Sequence, residues 1–292
     1  MKIGIQSNAY ATAEGGYGTD FEKMASHGYN CADYGLLALA TSPLYTVSDE
    51  EFKVYFTEVR ETAAKSGVEI YQMHGLWPTV NHDLTEEDRE KTKQYYIKEI
   101  EAAHYLGCRR LVIHPFTPGQ YDDAGDDEFT YEINLKLLRE LSVFAKEYDV
   151  IVCVENLPFE KREIARVDGV LRLIREVDSP YVKMCLDTGH ANIFSNDLAA
   201  DVRKIGSDLE ALHVHDNFGW CDAHLLPYCG TINWEPFFDA LKEIGYDGCM
   251  SLETKIGAGM PKGIKEVWQK NLGELAIYMA KRASGELPAP TE

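Results

Sequence analysis

The chain has 292 residues, 45% of them hydrophobic and 26% charged, with a formal net charge of -19 at pH 7. That length fits one α/β barrel or two ordinary domains, and the acidity argues against a nucleic-acid partner, because phosphate backbones need a broad basic footprint. The opening MKIGIQSNAY has no apolar signal core and no window has the length of a membrane span, so the chain reads as cytoplasmic and without a membrane partner. Its 7 cysteines lack the paired spacing of a zinc ribbon or a disulfide framework. Cys31, Cys153, Cys185 and Cys249 fall inside apolar runs and read as buried thiols in a reducing compartment.

Short β-branched or apolar runs recur at 3–8, 30–35, 68–74, 109–115, 150–156, 181–187, 209–215 and 247–253. Glycines in the segment 14–20 follow the first run by several residues and lack the G-x-G-x-x-G order, so the segment reads as a flexible loop rather than a dinucleotide turn. The spacing predicts a helix over 85–106, opened by Thr85 with Asp88 three residues on and closed before Gly107. The acidic run 122–128 reads as a solvated loop leading into a helix amino terminus. Tyr131, Leu135, Leu138, Leu141 and Phe144 recur at helical spacing and predict a helix over 131–148, and 262–282 is similarly amphipathic. Strand-like runs alternating with helix-like ones imply parallel strands joined by crossovers. Eight such runs predict a single (β/α)8 TIM barrel over residues 1–283, with 284–292 as an unstructured tail.

The chemistry-bearing residues stand where these runs close. His74, His114, Glu155, Asp187, His213 and Glu253 end the third to eighth runs, and His190, His215, Asp222 and His224 follow just beyond. A carboxylate or imidazole at the end of a buried run costs desolvation energy unless something compensates it. In a barrel these positions share the carboxyl-terminal mouth. Carboxylates with imidazole form a rather hard ligand set, suited to Mn2+ first and to Mg2+, Co2+ or Zn2+ as alternatives. His215 reads as a neighbour on the alternate strand face rather than a ligand. Trp77, Phe218, Trp220 and Trp234 fall in loops above the same mouth, where aromatics can wall a sugar ring, although helix packing suits Trp234 equally. His27, His82 and His104 carry no assignment.

The segments V154-E-N156, C185-L-D-T-G-H-A-N192, H213-V-H-D-N217, D222-A-H224 with G230-T-I-N-W234, and S251-L-E-T254 resemble the xylose isomerase-like TIM-barrel superfamily over nearly the whole chain. That group includes sugar-phosphate isomerases and epimerases, ketose 3-epimerases, hydroxypyruvate isomerases, inosose dehydratases and endonuclease IV-type nucleases. The resemblance implies a shared metal site on Glu155, Asp187, His213 and Glu253. It makes Glu155 and Glu253 the acid–base pair facing the substrate carbon, and places His190 on a substrate oxygen. His74, His114, Asp222, His224 and Trp77 become substrate-contacting candidates. The implied activity is a divalent-metal-dependent isomerase or epimerase of a small sugar or sugar derivative, working through a metal-stabilised enediolate. Homo-oligomers are frequent in the superfamily.

Two positions depart from the ketose 3-epimerases. Lys161 stands where they carry a second glutamate six residues beyond the fifth-strand ligand, and Gly219 where they carry an arginine. The resemblance therefore leaves another polyol, a keto acid or a glycoside-derived substrate open. The ligand types of the trinuclear endonuclease site also match here, but glycine replaces the usual cysteine in D187-T-G-H190 and no basic DNA-penetrating loop is evident. A lyase or hydrolase of the same fold is the alternative: an inosose-type dehydratase, a carbon–glycoside-cleaving subunit or an endonuclease IV-like phosphodiesterase. A sugar-binding barrel without turnover stands last, since it would have no reason to keep two opposed glutamates.

Overall fold

The computed structural model describes all residues except 13–17, 36, 38–39, 78–83, 119–125, 196, 258 and 291–292. Most of the glycine-bearing loop, much of the acidic run and His82 therefore lie outside the described residues. The strands are β1 (Lys2–Gln6), β2 (Cys31–Tyr34), β3 (Glu69–His74), β4 (Arg110–Ile113), β5 (Ile151–Glu155), β6 (Val182–Asp187), β7 (Leu209–His213) and β8 (Cys249–Leu252). The helices are α1 (Phe21–Ser26), α2 (Asp49–Lys65), α3 (Glu86–Leu106), α4 (Asp127–Glu147), α5 (Val167–Val177), α6 (Thr188–Phe194), α7 (Leu198–Ile205), α8 (Trp234–Glu243) and α9 (Lys262–Ala283). Each anticipated run holds one strand, and the sheet is parallel in the order β7-β6-β5-β4-β3-β2-β1-β8. Past the end of β7, Val214 closes the ring on β8: its N–H donates to the Ser251 carbonyl at 2.8 Å, and its carbonyl accepts from Glu253 N–H at 2.9 Å. The fold is the TIM barrel the alternation implied.

Local sequence signals set the helix ends. Thr85 and Asp88 form the reciprocal capping box of α3, and Gly107 ends it in a left-handed conformation (φ 67°). Helix α4 starts four residues earlier than its apolar periodicity suggests, because Asp126 accepts the Phe129 N–H at 3.0 Å and supplies a cap ahead of the hydrophobic stripe. Trp234, expected in a loop or packed on a helix, is the first residue of α8 and is buried against Phe237 and Phe238.

The barrel interior is layered. Cys31, Tyr71 and Cys249 pack low in the barrel beside Gly4, where an added Cβ would lie 2.5 Å from the Cys249 sulfur. Val112, Cys153, Cys185 and Ala211 lie in the layer above. The four strand cysteines are buried and free, as their apolar surroundings predict. At the opposite end of the strands the apolar filling gives way to carboxylates and imidazoles.

A candidate metal centre at the barrel mouth

Glu155 and Asp187 are the last residues of β5 and β6, His213 is the last of β7, and Glu253 follows β8 by one residue. Parallel strands of one barrel deliver such ends to one rim. Here one ligand atom from each of these four residues lies within 4.8 Å of every other, and all four residues are buried. His213 Nδ1 stands 2.9 Å from Glu253 Oε2 and 3.3 Å from Glu155 Oε2. Those three atoms, Glu155 Oε2, His213 Nδ1 and Glu253 Oε2, have no hydrogen-bond partner. Buried polar atoms are normally satisfied, so three orphans aimed at one point, among like-charged carboxylates, fit a divalent cation.

The groups around this centre fix its orientation. His213 Nε2 meets Asp33 Oδ2 at 2.8 Å, which leaves Nδ1 turned to the two glutamates. Gln72 holds Asp33 in turn, donating to the same oxygen at 3.1 Å. A carboxylate behind a metal-facing imidazole sets its tautomer and raises its basicity. Asn156 ties the ends of β5 and β6 together, accepting the Asp187 N–H at 2.9 Å and donating to the Asp187 carbonyl at 3.0 Å. Asp187 also caps α6 by accepting the His190 N–H at 2.7 Å.

Charge compensation here comes from imidazole. Burial raises the Glu155 carboxyl, but the neighbouring His213 and His114 rings more than reverse this and hold it well below the usual range. Burial likewise opposes ionisation of Glu253, which His213 and His224 nevertheless bring to about 2. For His213, the desolvation that disfavours the cation is outweighed by Cys185, Glu253, Glu155 and Asp33, so its affinity for a proton is raised well above normal. In the metal-free protein, protons on histidine do what a cation would do.

His190, the expected substrate-side histidine, is buried with Nδ1 2.9 Å from the Asn156 carbonyl, and Nε2 faces Asp222 Oδ2 at 3.5 Å. It joins His215, Asp222 and His224 in a second cluster of potential ligands. The position of His215 corrects the sequence reading. Residues two apart on a strand share a face, and the His215 ring turns inward, with Nε2 3.0 Å from Asp187 Oδ1. It stacks on His224, with centroids 4.0 Å apart. Glycine at 189 permits this, since a Cβ there would lie 2.0 Å from the His215 ring. His224 itself sits at φ 47°, held by Nδ1 2.7 Å from the Glu253 carbonyl.

His74 and His114 approach Glu155 Oε2 to 3.5 and 3.2 Å and form a third cluster with it. Trp77 is half exposed, stacks on the His114 ring and donates its indole N–H to His74 Nε2 at 3.1 Å. With Nδ1 of His74 also committed to the Gly75 carbonyl at 2.9 Å, both ring nitrogens have partners. Phe218 and Trp220 are exposed and stacked on each other. Asp216 of the H213-V-H-D216 element serves the scaffold. Its Oδ2 accepts the Trp234 indole N–H at 3.1 Å, and its Oδ1 accepts the backbone N–H of Asn217 and Ile232.

Asp33, Gln72 and Glu99 stand in none of the sequence motifs. Glu99, on α3, is fully buried and accepts the Leu76 N–H at 2.8 Å and the Tyr45 hydroxyl, so it supports the loop that follows His74 and carries Trp77. A carboxylate set between Tyr96, Ile100 and Ala103 on the buried stripe of a helix was the available signal.

A family model for the xylose isomerase-like TIM barrel matches residues 21–274. The chain belongs to that family. It is 28% identical over 281 residues to a D-psicose 3-epimerase of Ruminiclostridium cellulolyticum, an alignment covering 92% of this chain and 89% of that protein. The crystal structure of a D-tagatose 3-epimerase-like protein superposes with a TM-score of 0.74 at 25% identity, covering 96% of this chain and 98% of the other. A probable endonuclease 4 of Mesomycoplasma hyopneumoniae is 32% identical over 139 residues, which is 43% of this chain and 47% of that protein.

Proposed function

We propose that the protein is a divalent-metal-dependent epimerase or isomerase of a small sugar or sugar derivative, with its site in the single barrel of residues 1–283. The observation that carries this reading is the convergence of the unpartnered Glu155 Oε2, His213 Nδ1 and Glu253 Oε2 in a buried mouth. Its support from relatives is the full-length likeness to proteins named for ketose 3-epimerisation, against a likeness to an endonuclease over less than half the chain.

Glu155, Asp187, His213 and Glu253 would hold the ion. Mn2+ is the first candidate, because oxygen donors outnumber nitrogen, and the Cys185 thiol beside Glu155 and His213 is kept protonated by burial. When bound, the ion supplies Lewis acidity toward a carbonyl and the adjacent hydroxyl, which acidifies the C–H between them. The protein does the proton work. Either Glu155 or Glu253 accepts the proton from carbon through a free carboxylate oxygen, and the other returns one. Which carbon receives it decides the outcome: return to the same carbon from the opposite face gives the epimer, and delivery to the former carbonyl carbon gives the isomer. His190, anchored on the Asn156 carbonyl, presents Nε2 to a substrate oxygen, and Asp222 sets its orientation. His74, His114 and His224 border the substrate, and Trp77 covers it. A homo-oligomer would place further walls around this mouth.

The test is solvent-proton exchange. Protein reconstituted with Mn2+ and incubated with a panel of ketoses and ketose derivatives in deuterium oxide should introduce deuterium at one carbon next to the carbonyl. It should also bind close to one ion per chain. No deuterium entry across the panel, or near three zinc ions per chain with phosphodiester cleavage, would overturn the proposal.

A further inference from the structure

The candidate centre opens into a cavity of about 420 Å3 with an uneven distribution of charge. Glu253, His74, His224 and Trp77 line it on the side of the proposed metal, and Gln6, Ser7 and Asn8 add neutral polar groups. Its other charged lining residues are Lys255 and Lys265. Glu253 is the lining carboxylate, and it belongs to the candidate metal centre. Among the described residues neither lysine has an ion-pair partner, although the chain carries 48 acidic residues against 29 lysines and arginines. Lys255 stands two residues past Glu253, and its backbone N–H donates to the His224 carbonyl at 2.9 Å. Lys265 lies near the start of α9, whose first turn contains no acid and whose Pro261 cap offers no side-chain bond. By contrast, the first turns of α2 and α3 each hold three acids.

Two lysines beside a cavity whose other charged groups belong to the candidate metal centre give it a local positive field in an otherwise acidic chain, and such a field draws anions.

We infer that the substrate carries an anionic substituent, phosphate or carboxylate, remote from its chelating carbonyl and hydroxyl, and that Lys255 and Lys265 receive it. The inference rests on the epimerase reading of the mouth and supplies the substrate class that reading leaves open.

The test uses the full chain loaded with Mn2+ and three probes that share one carbon skeleton and differ only at the terminal carbon: D-fructose, D-fructose 6-phosphate and D-fructuronate. Calorimetry gives affinities, and deuterium entry from solvent gives turnover. At least one anionic probe should bind about 10-fold more tightly than D-fructose, with an advantage that shrinks as salt rises. The stronger arm identifies the substituent. Lys255→Gln combined with Lys265→Gln, both solvent-accessible positions, should bring the ratio of anionic to neutral affinity to about one. Equal affinity for D-fructose and both anions, or a ratio that survives the double substitution, overturns the inference. Lysine-dependent anion binding without deuterium entry into any probe would keep the anion site and overturn the epimerase reading. Deuterium entry into D-fructose without any anion preference would do the reverse.

Discussion

The two ends of the barrel handle their acids in opposite ways. At the amino-terminal end Glu210 meets the Arg110 guanidinium at 2.8 Å, and that guanidinium lies 4.0 Å over the Tyr71 ring. Asp208 takes Lys183 at 2.9 Å and Arg175 at 3.0 Å, and Lys2 pairs with Glu69. At the carboxyl-terminal mouth, Asp33, Glu155, Asp187, Asp222 and Glu253 have only histidines as basic partners among the described residues. Lysine and arginine hold their charge throughout the physiological range, so acids paired with them are neutralised permanently. Imidazole can release its proton and offer a lone pair. One end is therefore built to stay as it is, and the other to exchange protons for a cation.

The largest effect expected from breaking that contrast is chemical. Glu155→Gln and Glu253→Gln should each lower deuterium exchange by about 1,000-fold or more, the scale of a lost general base, with sugar binding retained in calorimetry. Next in size is removal of the ion. Chelation should lower the melting temperature, by an amount equivalent to about 4 kcal/mol if the metal had been present at 1,000 times its Kd, and added Mn2+ should restore it in differential scanning calorimetry. Asp33→Asn, which weakens the carboxylate behind His213, should reduce Mn2+ affinity by about 10- to 100-fold in a competition titration. At the other end, Arg110→Met should cost about 1–3 kcal/mol in urea unfolding, less than for a fully buried pair, and leave Mn2+ affinity within about twofold. A further signal concerns pH. Burial pushes the Glu99 carboxyl from 4.5 to about 8, because its partners are neutral donors. Folding then takes up a proton between those values, so its contribution to stability falls as pH rises through that window, by at most about 1.4 kcal/mol per unit. Glu99→Gln should gain stability relative to the parent between pH 5 and about 8 in parallel denaturation curves.

Most of the barrel was legible because the strands are largely apolar and most end on a polar residue or are followed by one. VIVCVEN and YVKMCLD fixed both their strands and the carboxylates at their tips. Carboxyl-terminal boundaries are overrun by one or two residues at 7–8, 35, 114–115, 156, 214–215 and 253, just past the strands, where the chain turns into the mouth. The site was less complete. Asp33 sits in a four-residue strand whose remaining side chains are buried, so nothing in spacing separates it from a structural acid. Glu99 belongs to a helix, and its role depends on the loop from β3 lying over it. His215 departs from its sequence reading because the two-residue period of β7 runs on past His213 and puts both rings on one face. Lys255 and Lys265 come together only through folding around the cavity, and no local pattern announces that.

The contact between Gly189 and the His215 ring makes two positions evolve as one. No β-carbon at 189 can coexist with that imidazole at 215 unless the rest of the mouth shifts. A descendant that acquires a side chain at 189 must shed the ring or redirect it, and in doing so frees Asp187 from its closest imidazole neighbour. Related chains should therefore sort into two groups at this pair of sites, with few sequences stranded between them.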